Sequence, residues 1–237
     1  MHTHARHNSR AHRPLGAVAL LAAGAATIAW LCPGGPGTAG ATEVTQGPSA
    51  SAYRSVTAAT ADAPAWTGPL LEAATEGTLV ILGLLLVLLG RTALRRKDAD
   101  AVAAAVLIGV ATVAAYAISE AAKAIVDQER PCRAIPTVET IAPCPATGDW
   151  SFPSNHATLA AALAVGLAVR RPHLAVVTLP LAAAAALLRV LVGVHYPHDV
   201  LAGAILGGTV AAAVLLAAPA PLDARCATSR AATRGDR

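Results

Sequence analysis

Three short clusters in this sequence carry residue types and spacings that can do chemistry on a phosphate. In RVLVGVHYPHDV, Arg189 to Val200, His195 and Asp199 lie four apart with Pro197 between them. If a helix has begun by that point, the carboxylate comes within reach of the imidazole. A carboxylate bonded to one ring nitrogen fixes the tautomer and leaves the other nitrogen free to attack. Arg189 ends an apolar run, where an unpaired guanidinium is costly and marks function by default. His198 reads as a loop bystander.

The other two clusters carry complementary groups. In SFPSNHA, Ser151 to Ala157, Ser154 or Asn155 suits a helix N-cap and Pro153 suits a chain turning into a helix. Free backbone N–H groups at such a terminus offer an anion site, with His156 in the first turn beside it. The plainer reading is a capped helix with an incidental histidine. In KAIVDQERP, Lys123 to Pro131, the lysine is one of only two in the chain, the other being Lys97. Arg130 as a planar fork and Lys123 as a point charge would suit a phosphate. Two other readings stay open: a snorkelling interfacial lysine beside a loop arginine, or neutralisation by Glu120, Asp127 and Glu129.

The elements that must position these clusters are set by composition. The 237 residues are 55% hydrophobic and 14% charged, too apolar for an ordinary soluble domain, and Ala, Leu and Val carry the apolarity. A bilayer core of ~30 Å takes ~20 helical residues. Six stretches approach that length, at about 14–32, 69–90, 101–122, 156–170, 173–192 and 199–218. The fourth is the shortest, and the segment before it is expected to prolong it. The fold class is therefore an all-α, multi-pass transmembrane bundle of about six spans.

Charge asymmetry orients the bundle. With both termini cytoplasmic, the inner segments hold Arg6, Arg10, Arg13, Arg91, Arg95, Arg96, Lys97, Arg170, Arg171 and the four C-terminal arginines. The outer segments hold only Arg54, Lys123, Arg130, Arg133 and Arg189, and Trp30, Trp66 and Trp150 fall near the outer boundaries. The three clusters then share the extracytoplasmic side of the cell membrane. The basic residues sit between apolar stretches, with no basic stripe interleaved with aromatics, so nucleic acid is not an expected partner.

Three regions follow: 1–68, a first anchor and an outer loop; 69–218, the membrane domain; and 219–237, a polar, disordered cytoplasmic tail. The first span also fits a cleavable signal peptide with Ala39-Gly40-Ala41 as its site, although its apolar run is long. Residues 33–68 are rich in Gly, Pro, Ser, Thr and Ala and read as a mobile loop. Cys132 and Cys144 share the loop 124–155, where a disulfide can persist on the outer side. Unpaired thiols are the alternative, Cys32 is a third outer candidate, and Cys226 is expected to be reduced. No Cys/His spacing resembles a metal site.

The three clusters together resemble the signature of the type 2 phosphatidic acid phosphatase and vanadium haloperoxidase superfamily. That pattern runs Lys, six residues, Arg-Pro; then Pro-Ser-Gly-His; then Ser-Arg, five residues, His, three residues, Asp. Lys123, Arg130, Pro131, Pro153, Ser154, His156, Arg189, His195 and Asp199 match it with every internal spacing kept, over roughly residues 70–218. Asn155 stands where the family usually has Gly, and Leu188 where it usually has Ser. Asn is expected to cost little, since it keeps a backbone N–H and tolerates unusual backbone angles. Leu188 removes a hydroxyl able to touch phosphate or orient Arg189.

The resemblance implies an integral membrane phosphatase working through a phosphohistidine, without metal or cofactor. His195 would be the nucleophile, Asp199 its orienter, and His156 the acid and then the base. Lys123, Arg130, Ser154, Asn155 and Arg189 would bind the phosphate oxygens. Its partners would be the bilayer and a lipid phosphate. Undecaprenyl or another polyprenyl diphosphate is the first expectation, and phosphatidic acid or phosphatidylglycerol phosphate the second. Haloperoxidase relatives are soluble and larger. A non-catalytic lipid-binding relative is the alternative of another class, against which retention of His156, His195 and Asp199 argues.

Overall fold

The computed structural model describes residues 4–34 and 41–218, with side chains from residue 13 onward. The tail 219–237, Cys226 and residues 39 and 40 of the small-residue motif lie outside the described residues. Within them, regular structure is helical apart from one bridge between Thr42 and Gln128. The helices are α1 (His4–Leu31), α2 (Pro48–Thr60), α3 (Thr67–Arg95), α4 (Ala99–Val126), α5 (Pro131–Ala134), α6 (Asn155–Arg170), α7 (Ala175–Leu191) and α8 (Pro197–Ala217). A 3-10 turn, Pro172–Leu174, leads into α7.

Among the described residues, five segments are long and apolar enough to cross a membrane: Arg13–Leu31, Thr67–Arg95, Ala99–Val126, Pro172–Leu191 and Pro197–Ala217. Large apolar side chains such as Val18, Val80, Leu84, Val113 and Val176 point outward from α1, α3, α4 and α7. Water would not tolerate so much exposed apolar surface, whereas lipid solvates it. The chain is a membrane protein.

At 16 residues, α6 is shorter than these five. It is also the most enclosed, packing against α8, α7, α4 and α3. The preceding segment does not prolong it as expected. Residues 151–154 are irregular because their backbone bonds elsewhere: Ser151 N–H donates to Gln128 O at 2.8 Å and Ser154 N–H to Asp199 O at 3.0 Å. Small residues let α8 press against the start of α6. A Cβ at Gly203 would lie 2.4 Å from Ser154 O, and one at Gly207 would lie 2.0 Å from Thr158 O. Two glycines one turn apart permit the close helix approach common in membranes, and they seat the second motif against the third.

The region expected to be a mobile loop is partly a built element. Proline at its first turn starts α2, and Tyr53 is fully buried with Ala50, Ile135 and Tyr196. Tyr53 Oη donates to Gly193 O at 3.0 Å, and Tyr196 Oη donates to Val44 O at 2.6 Å. Gly193 takes φ +87°, and a Cβ there would meet Thr140 at 2.7 Å. The stretch 41–60 thus braces the turn that carries His195.

Candidate active site

The third motif is organised by Asp199. Pro197 opens α8, and Asp199, at the third helical position, accepts the Tyr196 N–H on Oδ2 at 2.8 Å. This N-capping bond fixes a fully buried carboxylate beneath His195. His195 Nδ1 lies 3.4 Å from Asp199 Oδ2, and Ser151 Oγ donates to the same oxygen at 2.5 Å. The other oxygen, Oδ1, accepts Gln128 Nε2 at 3.0 Å and has His198 Nε2 at 3.1 Å.

His198 is therefore no bystander. Ser49 Oγ accepts the His198 backbone N–H at 3.3 Å and sits 2.7 Å from Nδ1, so its hydroxyl proton is free to go to Nδ1. That leaves Nε2 as the protonated nitrogen, facing Asp199 Oδ1 and Gln128 Oε1, the latter at 3.0 Å. The His198 ring stacks on Tyr196 with centroids 5.3 Å apart.

With Nδ1 turned to Asp199, the working nitrogen of His195 is Nε2, which lies 3.1 Å from Arg130 Nη1. A guanidinium only donates, so Nε2 offers its lone pair. Burial pushes the His195 imidazole down to about 3; the Asp199 hydrogen bond opposes this and the Arg130 charge adds to it. The ring is neutral at ordinary pH, as a nucleophile requires.

The expected phosphate ligands fall into two groups, those already partnered and those not. Arg130 is buried and makes three further bonds: Nη1 to Val194 O at 3.0 Å, Nε to Asp149 O at 2.7 Å and Nη2 to Asp149 Oδ1 at 2.8 Å. Lys123, in the last turn of α4, lies 3.4 Å from both Asp149 Oδ1 and Glu120 Oε1. Asp149, which no spacing in the sequence marks, thus takes both cations. Glu129 instead accepts the Arg133 guanidinium at 2.7 Å. Burial acts to raise the Asp149 carboxyl, but the Arg130 hydrogen bond and charge, with Lys123, outweigh it and hold the carboxyl below its usual range.

The second group is unpartnered. Among the described residues the buried side-chain polar atoms lacking any hydrogen bond are Ser154 Oγ and Arg189 Nε. Ser154 takes the N-cap position of α6 as expected, yet its hydroxyl makes no cap bond. Leu188 offers Arg189 no hydroxyl. Buried polar atoms normally find partners, so these two donors are the ones left available to a ligand.

Asn155 opens α6 without a positive φ, so its tolerance of unusual angles is not used. Its side chain bonds α4 instead: Nδ2 donates to Glu120 Oε1 at 2.6 Å, and Oδ1 accepts Ser119 Oγ at 2.7 Å. His156 follows, with Nε2 2.8 Å from Glu76 Oε1 of α3. Glu76, Gln128, Asp149 and Ser151 were not singled out from sequence. A carboxylate inside an apolar span was the available signal for Glu76; the other three sit in polar loops without one. Cys132 and Cys144 form a disulfide with Cα atoms 5.9 Å apart, and Cys32 is free.

Known proteins align with this arrangement. A family model described as the PAP2 superfamily matches residues 104–221. Decaprenylphosphoryl-5-phosphoribose phosphatase of Mycobacterium tuberculosis, matched in strains CDC 1551 / Oshkosh and ATCC 25618 / H37Rv, is 40% identical over 133 residues. That alignment spans 55% of this chain and 68% of the relative. In fold, the chain is similar to the crystal structure of the first transmembrane PAP2-type phosphatidylglycerolphosphate phosphatase from Bacillus subtilis. The TM-score is 0.52 at 21% identity, over 86% of this chain and 94% of that one. With the motif residues gathered at one end of a membrane helix bundle, the chain belongs to the PAP2 superfamily and is one of its membrane phosphatases.

Proposed function

We propose that this chain hydrolyses the terminal phosphate of a polyprenyl-linked lipid through a phosphohistidine at His195. The observation that carries the reading is two buried, unpartnered donors, Ser154 Oγ in the second motif and Arg189 Nε in the third, beside a neutral His195 backed by Asp199 in the third. His195 Nε2 attacks phosphorus while the bond to the leaving oxygen breaks, and His156 gives that oxygen a proton. His156 then takes a proton from the water that attacks the phosphohistidine. The P–N bond breaks, phosphate leaves, and Nε2 regains its lone pair. Ser154, Arg189, Arg130, Lys123 and the backbone N–H groups from Asn155 onward hold the non-bridging oxygens and stabilise the transition-state charge. Fixed cations supply the positive charge, so phosphate release is expected to persist in EDTA.

The relative's name supports a phosphomonoester on a sugar carried by a polyprenyl phosphate as the substrate. The proposed orientation places the site on the extracytoplasmic side. Arg13, Arg95, Arg96, Lys97, Arg170 and Arg171 lie at the helix ends opposite the motifs, as the distribution of basic residues favours for cytoplasmic ends. The disulfide at the motif end fits an oxidising compartment. The test is phosphate release in EDTA from a polyprenylphosphoryl phosphosugar, a polyprenyl diphosphate, phosphatidic acid and phosphatidylglycerol phosphate. The first should give the highest kcat/KM, and His195→Ala should abolish release. A preference for phosphatidic acid would overturn the substrate, and requirement for a divalent ion the metal-free mechanism.

A further inference from the structure

Glu72 and Glu76 lie one turn apart in α3, a helix otherwise apolar for most of its length. A carboxylate in such a span is expensive and is retained where it has a partner or a task. Glu76 has the partner: its Oε1 lies 2.8 Å from His156 Nε2. Burial opposes charge on His156 first, and two cations add to it, Arg189 from α7 and Arg130 from the loop before α5. Positive charge at those positions opposes an imidazolium at His156, although the leaving oxygen needs a proton from it. Glu76 supplies the compensating negative charge, and Nδ1 makes no protein hydrogen bond among the described residues.

From the Glu76–His156 contact we infer that Glu76 is the positioning residue for the acid–base histidine, as Asp199 is for the nucleophile. The inference rests on the phosphatase reading above. Two histidine–carboxylate pairs then serve the same phosphate, from α3 with α6 and from α8. Before the first step Glu76 accepts from Nε2–H and holds the imidazolium. As the P–O bond breaks, the proton on Nδ1 passes to the leaving oxygen and His156 becomes neutral. In the second step Nδ1 takes a proton from the attacking water, and Glu76 again stabilises the cation that forms. Glu76 touches neither phosphorus nor the leaving oxygen.

A leaving-group comparison tests this. Alkyl oxygen needs a proton to depart, whereas p-nitrophenolate does not, and kcat/KM reports events only through departure of the leaving group. Wild type and Glu76→Gln, nearly isosteric at an exposed side chain, are assayed in detergent with decyl phosphate and with p-nitrophenyl phosphate. For Glu76→Gln, kcat/KM on decyl phosphate is expected to fall roughly ten- to a hundredfold, the scale of one charged hydrogen bond. On p-nitrophenyl phosphate it should stay within about threefold, since acid assistance is dispensable there. The aryl substrate also reports folding in the same preparation. An equal fall on both substrates, or no fall on decyl phosphate, would overturn the role of Glu76. A wild type that releases phosphate from neither of these nor from the polyprenylphosphoryl phosphosugar would overturn the reading on which the inference rests.

Discussion

At the scale of single residues, a loop carboxylate already pairs with two of the motif cations. Asp149 places one carboxylate on Arg130 and Lys123, the two cations that a phosphate would occupy. In the proposed mechanism, substrate binding exchanges that carboxylate for a phosphate oxygen. Asp149→Asn removes the competing charge and should lower the inhibition constant for inorganic phosphate by about three- to tenfold, the scale of a surface ion pair. An unchanged constant would show that Asp149 leaves the cations free in solution. His195 gives a second prediction at this scale. Its folded proton affinity is depressed from 6.5 to about 3 by burial. As pH falls through that window the unfolded chain binds a proton that the folded chain refuses. Stability is therefore full above 6.5 and lost progressively towards 3, at up to ~1.4 kcal/mol per pH unit. His195→Gln should flatten the dependence of Tm on pH over this range; an unaltered slope would place the acid sensitivity elsewhere.

At the scale of elements, the site depends on two packings. Gly207 lets α8 lie on Thr158 of α6, and the Cβ of an alanine would fall 2.0 Å from that carbonyl oxygen. Gly207→Ala should cost at least ~2 kcal/mol, the range of overpacked cores, and should separate Ser154 from Asp199. A thermal shift in detergent reads the first effect and loss of phosphatase activity the second. The other packing is α2 against the catalytic turn. Ser49→Ala leaves His198 Nδ1 without its partner and frees the tautomer, so kcat should fall several-fold with KM little changed, about the worth of one hydrogen bond.

Legibility from sequence also divides at this scale. His195 and Asp199 are four residues apart and Lys123 and Arg130 seven, so each pair is near along the chain. Glu76, Gln128, Asp149 and Ser151 reach the site from separate segments, and no local period announces them. The brace formed by α2 was hidden for a different reason. Its burial rests on Tyr53 and small residues, a pattern with too few large apolar groups to show a helical period. The shortness of α6 was visible, but its isolation from lipid follows only from the helices around it.

At the scale of the whole molecule, apolar helices surround α6, and the charged chemistry collects at one end of the bundle. Joining Cys132 to Cys144 across 12 residues ties down the loop that presents Arg130 and Asp149. Closing so short a loop contributes ~3 kcal/mol by chain entropy. Reduction should lower Tm and weaken phosphate binding together, and a fall in neither would leave the disulfide without a role in the site. Covalent catalysis at His195 is read out by trapping the intermediate. Enzyme mixed with a polyprenylphosphoryl phosphosugar and quenched rapidly in base should carry phosphate on the peptide containing His195. The adduct should survive base, be lost in acid, and be absent from His195→Ala. Phosphate on another residue, or an active enzyme with no trappable adduct under any quench, would contradict the account.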